Sequence, residues 1–389
     1  MSLRGRDIVC VGIADWHNDL QTNDQHLLRR LAGENRILFV ESLGLRQPQL
    51  AGRDLSRIWR RLRNGVRPPR LEEGVNVLSP LVLPFHSHAL VRAINRWLLP
   101  RQVTRAARRL GFQDVLLWSF VPQAEVLIDA LRPAQILYYI DDDHGAKPGI
   151  DAASFDASER AFARRADVVL ASAPALADKL AALNANVHLA PNVADTGLFA
   201  AALQDGPIDP ALQPLDRPRI AFTGAIVADK LDLPLIIEMC ALRPQWSFAF
   251  VGPRGPGDPR TDVSALTEVT NLSLLGARRY EDLPSVLRGA DVAILPYRTD
   301  GAMRSVFPMK TFEYLAAGLP VVSTRLPALT DMPEVAGEVA FAVTAHEMVE
   351  QLEAALADDD DIRRARRSAL ARGHSWESRI EEIATLLAR

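Results

Sequence analysis

Lys310 and Glu313 stand three residues apart in FPMKTFEYLAAGLPVVS, residues 307–323. Pro308 suits the first turn of a helix, where free backbone N–H groups and the helix dipole favour an anion. Lys310 in that turn adds a point charge. Lys147, Lys179, Lys230 and Lys310 are the only lysines in the chain, the remaining basic residues being arginines. Glu313 lies one turn further on, beside the apolar run Tyr314–Ala317, so it marks the polar side of the helix. A carboxylate there accepts hydrogen bonds from hydroxyls. Gly224 and Gly252 each follow an apolar run, with Lys230 shortly after the first. A glycine in that place either lets a phosphate or a base approach the backbone or simply makes a turn. The run Asp141-Asp142-Asp143-His144 closes another apolar stretch. Asp141, Asp142 or His144 there acts as a general base on a hydroxyl or steadies a developing positive charge, or the run is a solvated loop. Asp15, Trp16 and His17, after the first apolar run, form a second group of the same kind. Three adjacent aspartates suit a hard cation only with help from substrate phosphates.

The elements that must hold these groups read as alternating strands and helices. Ile8–Ile13, Ile37–Val40, Val115–Trp118, Ile136–Ile140, Val168–Ala171 and Val187–Leu189 are short, β-branched apolar runs. Helical spacing falls between them at Asn23–Leu31, Ala124–Leu131, Phe155–Ala166 and Leu176–Leu183. This is the pattern of a parallel α/β sheet. Residues 200–218 are rich in proline and lack periodicity, as a linker does. A second series follows, with strands at 219–222, 247–251, 272–274, 292–295 and 320–323. Its helices fall at 233–241, 280–289 and 310–317, before a helical tail. The expected division is 1–197, 198–370, and a final helix at 371–389 that returns to the first domain. Open parallel sheets bind ligands beyond the carboxyl ends of their strands, so a cleft between the domains is the expected site.

The composition is ordinary for a globular chain, 48% hydrophobic and 24% charged, which excludes wholesale disorder and fibrous repeats. Cys10 and Cys240 sit far apart in apolar runs and read as buried thiols, not a zinc site, which implies a reducing compartment. No secretory signal or spanning segment is legible, so the expectation is a cytoplasmic protein that is soluble or touches a membrane without crossing it. The net charge of −3 is uneven: residues 1–110 hold 19 basic against 9 acidic side chains, a net of +10. A basic block of this kind suggests an anionic partner.

The stretch 307–323 resembles the signature of GT-B glycosyltransferases, most closely the group 1 family (family 4), through Glu313, Gly318, Pro320, Val321 and Val322. Phe222-Thr223-Gly224 with Lys230, Phe250-Val251-Gly252, the strand 292–296, Ala166–Val169 with Ser172, and Pro191-Asn192 with Asp195 and Phe199 resemble further family stretches in the family's order. The form FPMK-x-x-EYLAAG is similar to bacterial surface-polysaccharide transferases of the teichuronic-acid type and to xanthan-type glucuronosyltransferases. The resemblance implies an α/β, GT-B fold: two Rossmann-like parallel-sheet domains facing across a cleft. It implies a hexosyltransferase with retention of configuration, no essential metal and no cofactor beyond a UDP- or GDP-type sugar donor. The acceptor would be a saccharide or a lipid-linked one, in envelope or exopolysaccharide assembly. Lys310, Pro308, Lys230, Gly224 and Gly252 would hold the donor diphosphate and base, and Glu313 the ribose hydroxyls. Two positions depart: Ser305 stands where the family's first Glu falls, and Ala225 where an Arg usually follows the glycine. These departures keep two other readings open, a catalytically silent GT-B partner and a GT-B sugar-nucleotide epimerase.

Two basic stretches complete the reading. Arg57, Arg60, Arg61 and Arg63, in a basic run that ends at Arg70, surround Leu55, Ile58, Trp59 and Leu62. Arg92, Arg96, Arg101, Arg105, Arg108 and Arg109 accompany a stripe of Leu90, Val91, Ile94, Trp97 and Leu98. Such helices lie on an anionic membrane surface, or else pack the stripe on the sheet and solvate the arginines. No nucleic-acid module is present.

Overall fold

The computed structural model describes residues 3–17, 21–43, 68–83, 89–146, 150–255, 261–301, 303 and 306–388. It divides into two compact units, Met1–Pro191 with Ile380–Arg389, and Asn192–Arg379.

The first unit is built on eight strands: β1 (Asp7–Val11), β2 (Arg36–Val40), β3 (Arg70–Glu72), β4 (Val75–Leu78), β5 (Leu116–Ser119), β6 (Gln135–Ile140), β7 (Val168–Ala171) and β8 (Val187–Leu189). They lie in the order β3-β4-β2-β1-β5-β6-β7-β8. β1 is buried along its whole length, as a strand covered on both faces must be, and pairs in parallel with β2 and β5. Helix α1 (Asn23–Leu31) follows β1. Its start is set by Gln25, whose side chain takes the Thr22 amide at 3.3 Å, and its last turn carries Arg29 and Arg30. The chain builds outward from β1 to β2 and β4, then returns to place β5 on the other side of β1. The point of reversal therefore lies between β1 and β5, where an open α/β sheet leaves a crevice at its carboxyl end. The β3–β4 hairpin is antiparallel and was not among the expected strands. Its turn, Glu73 (φ 50°) and Gly74 (φ 81°), has the two positive φ values of a type I′ connection.

Of the two expected packings, helix α2 (Ala89–Arg109) does not take the one that lays its apolar stripe on the sheet. Asn95, Leu99, Val103 and Ala106 face the core, while Leu90, Ile94 and Trp97 are 73%, 37% and 57% exposed. The cause is polar. Asn95 exchanges two hydrogen bonds with the Leu83 backbone, both at 2.9 Å, and Gln102 does the same with Leu81 at 2.9 and 3.0 Å. These amides satisfy backbone groups that no strand pairs, and they fix the rotation of the helix. The apolar stripe is turned outward as a result.

The second unit holds β9 (Arg219–Thr223), β10 (Ser247–Val251), β11 (Leu272–Gly276), β12 (Val292–Leu295), β13 (Val321–Thr324) and β14 (Val339–Ala342). All are parallel, in the order β11-β10-β9-β12-β13-β14, with the reversal between β9 and β12. Helix α3 (Lys310–Ala316) comes after β12. The last helix, Trp376–Leu387, begins in the second unit and ends in the first, where Gln135 Nε2 donates to the Leu387 carbonyl at 2.7 Å. Cys10 and Cys240 are buried free thiols.

Candidate functional site

In the second unit the expected residues converge at the carboxyl ends of β9, β10 and α3's own entry loop. Gly224 follows β9 and Gly252 follows β10, with φ of 148° and 157°. A Cβ built on Gly252 would lie 1.8 Å from the Gly224 carbonyl oxygen, so the two loops interlock backbone to backbone. A Cβ on Gly224 would sit 3.6 Å from Cε of Lys310 and 3.3 Å from the Phe222 ring. Gly224 thus bares its backbone directly beside the lysine.

Lys310 Nζ donates to Glu313 Oε2 at 2.7 Å, one helical turn away. Glu313 is fully buried, and its other oxygen lies 3.5 Å from the Tyr280 hydroxyl. A buried carboxylate survives only when paired and hydrogen-bonded. Here Lys310 and Tyr280 do this, leaving a carboxylate and an ammonium side by side next to open backbone. Tyr314 anchors α3 to β9: its hydroxyl accepts the Thr223 amide at 2.7 Å and donates to the Thr223 carbonyl at 3.2 Å. Burial pushes the Tyr314 and Tyr297 hydroxyls well above the usual phenol range, so both stay protonated. Asn192 Nδ2 donates to the Phe307 carbonyl at 2.9 Å and holds the loop entering α3.

Two expected residues sit differently. Pro308 stands before α3, whose first helical residue is Lys310 and whose N-cap is Met309. The opening turn is tight, with the Thr311 amide on the Pro308 carbonyl at 3.0 Å and the Phe312 amide on Met309 at 3.1 Å. Lys230 is exposed, and its carbonyl takes the Arg298 amide at 2.8 Å. Ser305, and the basic residues 57–67, lie outside the described residues.

In the first unit, Asp141 and His144 meet at the carboxyl end of β6. His144 Nε2 lies 2.9 Å from Asp141 Oδ1, with His144 buried. A carboxylate so placed orients an imidazole for proton transfer. Asp142 is half-buried beside them. Asn23 Nδ2 donates to Asp141 Oδ2 at 3.3 Å, which brings the start of α1 into the same group. The other candidate group is divided. Trp16 is core, packed edge-on to Phe39, and its amide donates to Glu41 at 3.0 Å. His17 is exposed and turns to Glu72 on β3, 2.7 Å away, not to Asp141. The backbone carbonyl of Asp15 accepts from Gln25 at 3.1 Å. Among the described residues no group of three or more His, Cys, Asp and Glu is placed to hold a metal ion.

Asn23, Asp24 and Tyr280 are the members sequence reading passed over. The signal for the first two was a polar pair opening α1 directly after the β1 loop; Tyr280 carried none. Asp24 is fully buried and accepts from the Ile13 amide at 3.0 Å, from the Gln25 amide at 2.9 Å and from the Thr22 hydroxyl. Burial pushes its carboxyl up to about 6, opposed by those hydrogen bonds and aided by repulsion from Asp141. A carboxyl raised in the folded state favours folding most below its unfolded value and loses that contribution as pH climbs to the folded one. The stability of the wild-type protein relative to Asp24→Asn is therefore expected to fall by roughly 2–3 kcal/mol between about pH 4 and pH 6, and to level off above. Urea midpoints of the two proteins across that range check it, and parallel curves would contradict the assignment.

Comparison with known proteins adds a family match over part of the chain, and the fold. Residues 217–358 match the family model described as Glycosyl transferases group 1. The chain is 35% identical over 156 residues to the putative teichuronic acid biosynthesis glycosyltransferase TuaH of Bacillus subtilis (strain 168). That match spans 40% of this chain and 38% of TuaH, so well under half of the relative's length is represented. Among solved structures, Anabaena HepE in complex with UDP gives a TM-score of 0.67 at 12% identity, covering 98% of this chain and 99% of that one. Sucrose-phosphate synthase from Thermosynechococcus elongatus gives 0.64 at 15% identity, covering 98% of each. The trehalose 6-phosphate synthase of Burkholderia multivorans gives 0.67 at 14%, covering 99% and 97%. The expected α/β architecture is thus the observed one: two parallel-sheet units of the GT-B fold.

Proposed function

We propose that this chain, of GT-B fold and with a group 1 glycosyl transferase region at residues 217–358, is a glycosyltransferase that draws a hexose from a nucleoside diphosphate sugar. The acceptor in this reading is a saccharide or lipid-linked saccharide of a bacterial envelope polysaccharide, which the partial likeness to TuaH supports. The donor reading draws support from HepE, which was solved with UDP and with UDP-glucose. The observation that carries it is the Lys310–Glu313 pair beside Gly224.

The chemistry follows from that pair. When the sugar leaves, negative charge builds on the diphosphate, and Lys310 is placed to offset it where the backbone of Gly224 is bare. Glu313, acceptor-only and buried, takes hydrogen bonds from a ribose diol while Tyr280 steadies its second oxygen. The neutral, buried hydroxyl of Tyr314 keeps α3 seated against β9, so both groups are held before the donor arrives. On the acceptor side, His144 oriented by Asp141, with Asp142 beside them, takes the proton of an acceptor hydroxyl in this reading. Retention of configuration belongs to the same proposal.

Thermal unfolding with UDP, GDP, ADP, dTDP and no ligand tests the donor site. A diphosphate at 100 times its Kd is expected to stabilise the protein by about 2.7 kcal/mol. The shift should come with one nucleotide and be lost in Glu313→Gln. No shift with any of the four overturns the assignment. A shift without turnover of the matching sugar nucleotide would identify a silent partner instead.

A further inference from the structure

We infer that the outer face of α2 is a docking surface for an anionic lipid bilayer. The inference extends the acceptor reading towards a membrane, yet it rests on the first unit and not on the donor site. Leu90, Ile94 and Trp97 are exposed on this helix, and Arg101, Arg105 and Arg108 are exposed further along it. At 100° per residue these six fall within an arc of about 80° on one side of the helix. Pro100 divides them, so the apolar three precede it and the arginines follow. Among the described residues of the first unit, Leu71 and Leu189 are the other exposed large apolar side chains, so this face gathers most of them.

The helix contains no Asp or Glu, so its own sequence offers nothing to neutralise the arginines on that stripe. Arg96, off the stripe, is engaged by Glu125 at 3.1 Å. Arg101 lies over the Trp97 ring, 4.1 Å from its centroid, and donates to the Trp97 carbonyl at 2.8 Å. A tryptophan capped by a guanidinium presents an apolar body with a charged rim, which suits the level of lipid headgroups. A second copy of the chain would bring the same arginines to the contact and no acid from this face. An acidic lipid surface supplies the missing charge, and acyl chains take the apolar half. Among the described residues no helix is long and apolar enough to cross a membrane, and this face calls for one lying in the interface.

Co-sedimentation with vesicles tests the inference. The protein is expected to pellet with equal parts phosphatidylglycerol and phosphatidylcholine, and far less with phosphatidylcholine alone. Each arginine near an anionic surface contributes about fivefold to partitioning, so R101Q/R105Q/R108Q together should weaken binding about a hundredfold. L90S/I94S/W97S should weaken it on both vesicle types. All six side chains are exposed, so neither variant should lower Tm, and a diphosphate-induced shift should persist in both. Failure to bind anionic vesicles, or binding untouched by either triple variant, overturns the inference. Sedimentation equilibrium showing a dimer that L90S/I94S/W97S dissolves would overturn it in favour of a second copy. Because vesicle binding needs no nucleotide, it can fail while the donor site stands, and the reverse.

Discussion

Gly252→Ala is expected to lower the unfolding free energy by about 3–5 kcal/mol, although it adds one methyl group. Two costs combine. The φ of 157° is one that L side chains rarely adopt, and the new Cβ would meet the Gly224 carbonyl oxygen at 1.8 Å. That oxygen belongs to backbone held in place: the Gly224 amide donates to Val251 at 2.9 Å, and the Gly252 amide to Gly276 at 3.0 Å. No flexible side chain can yield. Relief requires the loops after β9 and β10 to separate, and the first of them, at Gly224, borders Lys310. Urea unfolding should show the loss, and the nucleotide-induced thermal shift should vanish with it. A Gly252→Ala protein within 1 kcal/mol of wild type, about the size of an ordinary surface change, would show that the loops are not interlocked as described.

Lys310→Met should rank next, at about 3–5 kcal/mol, because it strands a fully buried carboxylate. The loss is the cost of leaving Glu313 unpaired and not the worth of the pair. Replacing both members with neutral groups should therefore recover most of it. The double variant Lys310→Met/Glu313→Gln is expected to be clearly more stable than Lys310→Met alone, and a double-mutant cycle on urea unfolding measures the coupling. Simple additivity would mean that Lys310 and Glu313 do not depend on each other. Neither variant should respond to a nucleoside diphosphate, so stability and ligand binding separate cleanly: the double variant regains the first and not the second.

The features legible in the sequence lie within a few residues of one another along the chain. Apolar β-branched runs marked nearly every parallel strand, because a strand covered on both faces has no other way to be written. The three-residue spacing of Lys310 and Glu313 placed both on one helical turn, and the glycines closing β9 and β10 were visible as strand ends. The antiparallel β3–β4 hairpin was missed, although Glu73-Gly74 is a usable turn signal. Contacts with partners far along the chain depend on how the sheets bring their loops together. Parallel strands bring distant loops to one edge, so Asn23 and Asp24 after β1 join Asp141 and His144 after β6, while His17, closer in sequence to Asn23, turns to Glu72. The rotation of α2 was decided the same way. Apolar periodicity left open whether Leu90, Ile94 and Trp97 cover the sheet or face outward, and the backbone groups at Leu81 and Leu83, which take Gln102 and Asn95, turned them outward. An unpaired buried amide costs about as much as a few exposed methylenes gain, and a sequence does not show which backbone groups will be left unpaired.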